Sequence, residues 1–464
     1  MASASSKSYI LLISAGGSFL APFMVSALIV AIPSIGIEFS MDAVAMSWLA
    51  TAFFLAASMF LIPFGRAADI FGVKRVFTAG IYIYFFSALL AALAPGQWAL
   101  IAARFLTGIG AAMIFGTSFA LLSLSLSEKE RGKALGINIA ASWIGFSLGF
   151  LLGGLLTYYF SWRGIFLAVM PVAILIIALI RMMLPGECAL SRGERLDVPG
   201  AIMISVFLFM IIFGLSEIPE ARGIALLAFG FLIILVFTTW ELRNDSPLID
   251  VRLFLRNRCF AFSNGAILIY FTATFATIFL VSLYLQYIKS FDSRSAGLVL
   301  LISTLITTPL VAYAGRMSDR HSPHAIAMVG IILTAAGLLP MTFVSFSTPT
   351  ALALTGLMFI MAGGAIFSPP MVKLILGSIP REMYGLGSSL AETMRLIGNT
   401  VSMAITTVGF TIYMGESGIR PENYPTFLES MRLIVAIFLA LCILTLGMAF
   451  FAGRAGRAKT QAKV

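Results

Sequence analysis

Between Tyr9 and Phe451 the chain runs through fourteen apolar stretches, each long enough to cross a bilayer, and the polar turns between them leave almost no room for a soluble domain. A hydrocarbon core about 30 Å thick needs about 20 apolar residues as a helix, and inside it only helices or closed barrels can satisfy the backbone. The runs span residues 9–37, 45–64, 76–93, 98–124, 134–160, 164–184, 198–215, 223–240, 260–287, 296–314, 325–344, 351–375, 384–414 and 427–451. An all-α membrane protein of fourteen transmembrane helices is therefore expected. A chain with 60% apolar and 11% charged residues could not cover a water-facing surface of 464 residues, so composition agrees.

An even number of spans puts both termini on one side, and the positive-inside rule predicts the cytoplasm. That orientation places 22 Lys and Arg residues inside and 6 outside, which with embedded Arg104 and Arg395 accounts for all 30. The net charge of +10 is thereby explained by topology and contact with anionic lipid, and no nucleic-acid partner is expected. At about 30 residues the first run is far longer than a signal-peptide core and should remain as a span. Cys188, Cys259 and Cys442 suggest neither a disulfide framework nor a metal site, and the only histidines, His321 and His324, read as solvated loop residues without a third ligand.

The two longest inside loops, 187–197 and 241–258, flank a central pair of helices. The expected organisation is a six-helix bundle over 1–185, two inserted helices over 186–245 and a second six-helix bundle over 246–464. A repeat supports it. Gly65-Arg-Ala-Ala-Asp69-Ile-Phe-Gly72-Val-Lys74-Arg75 follows the second span, and Gly315-Arg-Met-Ser-Asp319-Arg320 follows the tenth. Gly and Asp recur four apart at matching helix ends, as expected of parallel repeats related by an axis along the membrane normal. Gly permits close backbone approach, and Asp can accept from free amides at a helix N-terminus. The second copy has Ser322 where the first has Gly72.

These residues resemble the major facilitator superfamily, specifically its 14-helix drug:proton antiporters, over nearly the whole chain. Gly65 to Arg75 is similar to the superfamily's signature loop, and Leu100-Ile-Ala-Ala-Arg104-Phe-Leu-Thr-Gly108-Ile-Gly110 resembles a fourth-helix motif built on an embedded Arg. Gly145-Phe-Ser-Leu-Gly149-Phe150-Leu-Leu-Gly153-Gly154 is similar to a fifth-helix antiporter motif. Trp162-Arg-Gly-Ile-Phe166, Leu196-Asp197-Val-Pro-Gly200, Pro247-Leu-Ile-Asp250-Val-Arg252-Leu-Phe254 and Leu283-Tyr-Leu-Gln286-Tyr287 look like further family markers. The resemblance implies two parallel six-helix bundles, alternating access, and a cavity lined by the first, fourth, ninth and twelfth spans. Two positions depart from the pattern. Met24 stands nine residues before Pro33 where the family usually carries Asp, and Phe150 replaces a Pro in the fifth-helix motif.

Gly145, Gly149 and Gly153 share one helix face and should form a smooth groove, continued by Gly154, that in the family seals one half against the other. Three ionisable residues lie deep in the predicted hydrocarbon: Arg104, Glu392 and Arg395. A charge there costs at least about 3 kcal/mol on insertion scales, so each should face a partner or a wet cavity. Glu392 and Arg395, three apart, can pair on one face. That leaves two readings open, a structural ion pair or an ion-coupling site in which Glu392 takes up and releases a proton. Ser26, Asn264, Tyr270 and Asn399 are candidates to line a substrate path, and Gly363, Gly364, Pro369 and Pro370 to break or bend the twelfth span.

No phosphate-binding loop, metal cluster or activated nucleophile is present in the sequence, so an enzyme is not expected and an ion gradient, of protons, is the expected energy source in place of a cofactor. The expected function is secondary active export of hydrophobic drugs or other small organic compounds in exchange for protons. The expected setting is the cytoplasmic membrane of a prokaryote, with lipid and a small-molecule substrate as partners and a monomer as the working unit. Two alternatives remain: a metabolite or organic-anion exporter or facilitator without proton antiport, and a transporter-like membrane sensor.

Overall fold

The computed structural model describes residues 4–125, 128–183, 196–218, 220–244, 247–380, 383–415 and 417–461, so most of the loop expected at 187–197, with Cys188, lies outside the described residues. Among those described, fourteen helical segments are long and apolar enough to span a membrane, and no strand is present. The first six are α1 (Ala4–Glu38), α2 (Ala43–Phe71), α3 (Val73–Ala92), α4 (Gln97–Ser125), α5 (Glu128–Tyr159) and α6 (Arg163–Met183). An inserted hairpin follows, α7 (Val198–Ser216) and α8 (Ala221–Glu241), and then a short connecting helix, α9 (Val251–Arg256). The last six spans are α10 (Arg258–Leu283) with a π turn over Tyr284–Ile288, α11 (Ser293–Leu305) continued by α12 (Thr307–Arg320), α13 (Pro323–Met341), α14 (Thr350–Gly377), α15 (Tyr384–Met414) and α16 (Tyr424–Gln461).

Local chemistry sets the element ends. Asp42, Asp197, Asn257 and Asp292 each accept from a backbone N–H of the first helical turn that follows, at Ala45, Gly200, Phe260 and Ser295, satisfying donors that a helix start leaves free. Gly72 separates α2 from α3 at φ +118°, a conformation open to Gly and strained for any residue with a Cβ. The second copy of the repeat turns differently. Ser322 sits at φ −61° before Pro323 in the first turn of α13, so no glycine is needed there.

Of the break or bend expected in the twelfth span no break is present, whereas the tenth is interrupted. The twelfth, α14, runs unbroken through Pro369 and Pro370, and Gly363 serves instead to let α13 close in, its α-carbon lying against the Gly330 carbonyl and Thr334. The tenth span, which reads as continuous in sequence, is interrupted at Ile306, because Pro309 cannot donate to Leu305 four residues back.

Helices α1 to α6 pack mainly on one another, as do α10 and α12 to α16, while α11 packs mainly on α5. The two halves meet along α2 against α15, α5 against α11 and α1 against α10. The inserted helix α7 leans on the α2/α15 seam through Leu208 and Ile212 against Leu55, Met59 and Ala404. Pro63 leaves the Met59 carbonyl without its helical donor, and Ser205 of α7 donates to it at 3.1 Å. Helix α8 presents Ile224, Phe229, Phe231, Leu232, Leu235 and Val236 outward, where lipid would lie.

Candidate functional site

The bundle has two unlike ends. One carries the repeated Gly/Asp motifs and is called the motif end; the other carries the turns near residues 40, 95, 161, 290, 347 and 418 and is called the loop end. Bonds between the halves gather toward the loop end. Ala43 donates its N–H to the Ser417 carbonyl at 3.4 Å, the hydroxyls of Ser47 and Thr407 are 2.7 Å apart, and those of Ser58 and Thr400 are 3.4 Å apart. On the other seams Ser282 donates to the Ile29 carbonyl, Gln286 to that of Val30, and Ser293 to that of Gly154. Toward the motif end the described bonds between the halves thin out, a Cβ added at Gly65, Gly136, Gly315, Gly377 or Gly385 would meet nothing within 4 Å, and Tyr384, Ser388 and Ser389 are exposed.

Interhelical hydrogen bonds in membranes average about 0.6 kcal/mol each. A handful of them seals the loop end without locking it.

The embedded ionisable residues fall on either side of this division. Arg395 grips Glu392 through two hydrogen bonds, one of them Nε to Oε2 at 2.9 Å, and its guanidinium lies 5.8 Å from the Phe271 ring of α10. Both side chains keep contact with the surroundings, 27% exposed for Glu392 and 33% for Arg395. Glu392 stands about 12 Å and Arg395 about 17 Å up α15 from its motif-end terminus, at 1.5 Å per residue. Arg104 is only 1% exposed. Its Nε donates to the Leu49 carbonyl at 3.2 Å and its guanidinium covers the Phe53 ring at 4.7 Å, while Nη1 is buried without a hydrogen-bond partner among the described residues.

The motif residues organise the motif end. Asp319 pairs with Lys373 of α14 at 2.7 Å, and the same ammonium donates to the Ser318 carbonyl, tying α12 to α14. Asp69, Lys74 and Arg75 flank the tight Gly72 turn and none of them is without a partner, and Arg320 is exposed. His324 is not a free loop residue. It lies in the first turn of α13, against Gly453 of α16.

The fifth-helix glycines need a correction. Gly145, Gly149 and Gly153 do not face the other half; their α-carbons press on Phe19, Phe23 with Ser26, and Ala27 of α1. One i, i+4 stripe can face only one neighbour, and here it is α1. Gly154, one residue further round, alone reaches across, against Ser293 and Gly297 of α11. Phe150, fully buried beside that crossing, fills the place where the resemblance implies a Pro.

The four substrate-path candidates are all buried and are not gathered into one cluster. Ser26 donates to the Pro22 and Phe23 carbonyls of its own helix. Tyr270 bonds Thr334 at 2.7 Å and stacks on Phe367 with ring centres 4.0 Å apart. Asn264 donates to Phe260, and the side-chain oxygens of Asn264 and Asn399 accept no bond among the described residues. Two arrangements were not foreseen. The Asp319–Lys373 pair was hidden because Lys373 counted only as one more inside charge. The other is the base of the hairpin, where Asp197 accepts from Trp240 at 3.2 Å and Asn244 at 2.8 Å. Its sequence signal is the Asp before Pro199.

A family model described as Major Facilitator Superfamily matches residues 15–403 and 262–464. The chain belongs to this superfamily. Cephamycin export protein CmcT of Amycolatopsis lactamdurans is 30% identical over 442 residues, covering 92% of this chain and 89% of that protein. Riboflavin transporter RibZ of Clostridioides difficile is 27% identical and covers 89% of each, and multidrug resistance protein Stp of Mycobacterium tuberculosis is 28% identical over 81% of this chain and 71% of its own. Among solved structures, a bacterial homologue of the human lysosomal transporter Spinster, in an inward-facing and unoccupied conformation, superposes with a TM-score of 0.70 over 98% of both chains at 16% identity. A D-xylose–proton symporter superposes at 0.63, at 14% identity. This major facilitator is thus a multi-pass membrane transporter with a small-molecule substrate, and not an enzyme.

Proposed function

We propose that this major facilitator is a proton-coupled exporter of hydrophobic drugs or other small organic compounds, working by alternating access in the cytoplasmic membrane of a prokaryote as a monomer. The motif end faces the cytoplasm in this reading, in keeping with 22 basic residues on that side against 6 on the other. The structure is then the state open to the cytoplasm. One observation carries the coupling. The Glu392–Arg395 pair is the embedded carboxylate and guanidinium that stay partly exposed, on the half of α15 nearer the motif end, which suits a carboxylate that exchanges a proton when its side is open and is enclosed when the halves close. The cephamycin export protein and the multidrug resistance protein among its relatives favour the outward direction.

The test is efflux of a hydrophobic dye or drug from proteoliposomes with and without a pH gradient. Uphill movement driven by the gradient and abolished by collapsing it is expected; transport indifferent to the gradient overturns antiport.

A second reading, export or facilitation of a metabolite or organic anion without proton antiport, has its own support. Met24, fully buried, stands where the family usually has Asp, and Arg104 keeps an unpartnered Nη1 that an anionic group could satisfy. Relatives named for riboflavin and cephamycin fit this reading too. Gradient-independent flux of an anionic compound, lost on Arg104→Gln, would decide for it.

A further inference from the structure

Pro33 lies inside α1, close to the loop end, and its ring nitrogen carries no hydrogen. The carbonyl of Ile29, four residues back, therefore has no donor in its own helix. It finds one in the other half of the protein. Ser282 Oγ of α10 donates to it at 3.0 Å, and Gln286 Nε2 donates to the next carbonyl, Val30, at 3.0 Å. Gln286 also reaches Ser282 Oγ at 3.2 Å, so the two side chains form one connected clamp on a single turn of α1. The π turn over Tyr284–Ile288 carries Gln286 at the point where α10 ends, and its neighbour Tyr287 points its hydroxyl at Met46 of α2, 3.6 Å from the sulfur. Ser282 is fully buried and Ile29 nearly so. Just outside lies a crevice of about 350 Å³ lined by Pro33, Gln286, Tyr287, Asp292 and Ser293 among others.

A carbonyl stripped of its partner in a hydrocarbon setting must be satisfied by something. In the sealed state Ser282 and Gln286 do this from across the interface. Once the halves part at this end, they are carried away, and only water entering by the crevice can replace them.

We propose that Ser282 and Gln286 are the release-side latch of the transport cycle, holding the loop end shut by capping the Ile29 carbonyl that Pro33 leaves exposed on α1 and the Val30 carbonyl beside it. This rests on the alternating-access reading above, in which the loop end is the side of release. Opening is then tied to wetting of one turn of α1, and both residues act by positioning the halves, without touching substrate.

Spin labels at positions 96 and 347, in loop-end turns of the two halves, report the separation in a variant with Cys188, Cys259 and Cys442 replaced. Ser282→Ala and Gln286→Met, the latter keeping side-chain length without the donor, should each raise the ratio of open to sealed populations about threefold, the size of one interhelical hydrogen bond in a membrane. Having two variants means that poor folding of one leaves the other to decide. Pro33→Ala restores an N–H that can serve Ile29, so in that background Ser282→Ala should change the ratio less than about twofold. Distances that stay unchanged in both single variants, or a Ser282→Ala effect equal in the two backgrounds, overturn the latch. The distance measurement uses neither substrate nor gradient, so absent flux with shifting distances overturns the export reading alone.

Discussion

Ser47 of α2 and Thr407 of α15 place their hydroxyls 2.7 Å apart and join the two halves across 360 positions of sequence. Each hydroxyl has a second claim on its single proton, Ser47 on the Val44 carbonyl at 2.6 Å and Thr407 on that of Met403 at 2.9 Å. When the seam opens, both protons can return to their own helices. A contact of this kind holds the closed state at little cost to the open one, which suits an interface that must cycle.

Orientation is the first expectation to check. With the native cysteines replaced, a cysteine at His321, exposed at the motif end, should react with a membrane-impermeant maleimide only after the membrane is opened, whereas one at Ser347, exposed at the loop end, should react in intact cells. The reverse pattern would invert the topology and with it the direction of transport.

Coupling is assigned to Glu392. Glu392→Gln keeps the size of the side chain and its capacity to accept from Arg395 while removing the proton exchange. Downhill flux should persist within a fewfold of wild type, but acidifying the outside relative to the inside should no longer drive uphill export. Retained uphill export in that variant would make the Glu392–Arg395 pair structural and move the proton elsewhere.

Asp69→Asn tests the first copy of the repeat as a clasp at the motif end. Removing the charge should cut transport about tenfold, the scale of a charge-assisted hydrogen bond of about 1.5 kcal/mol, with protein level and thermal stability near wild type. Full activity would reduce Asp69 to a turn residue.

The two faces of α5 should respond oppositely to the same methyl group. Gly149→Ala must push α5 away from Ser26 and Phe23, and should lower stability by about 1 to 3 kcal/mol. Gly136→Ala, with nothing within 4 Å, should be neutral or gain up to about 1 kcal/mol of helix propensity. Thermal unfolding in detergent distinguishes them, and equal midpoints would mean that the α1–α5 packing is looser than described.

At the base of the inserted hairpin, Asp197→Ala removes the cap of α7 and the acceptor of Trp240 and Asn244 together. A loss of about 1 to 2 kcal/mol is expected from the cap alone. Protease accessibility of the hairpin, compared with that of the two bundles, is the readout, and no change there would show the hairpin to be held by its apolar contacts.

The spans were legible because a bilayer demands long apolar runs whatever their tertiary partners. Hydropathy did not reveal the interruption at Ile306, since a single proline among mostly apolar residues moves a window average little. Spacing put Gly145, Gly149 and Gly153 on one face and let Glu392 meet Arg395, because both facts belong to one helix. What faces that glycine stripe is a property of two helices, and periodicity carries no information about the second. The clamp of Ser282 and Gln286 was least legible of all, for its partners are main-chain carbonyls that every residue possesses, and only the position of Pro33 marks which of them is free.

Gly154 of α5 and Gly297 of α11 bring two backbones together across the interface, with the Ser293 carbonyl 2.5 Å from where a Cβ on Gly154 would stand. Nothing lies between them that could swing to another rotamer and fill a gap. Sideways separation at this point would open a void against bare peptide, whereas turning one helix on the other conserves the contact. Turning of α5 on α11 at this crossing is therefore the motion its packing resists least.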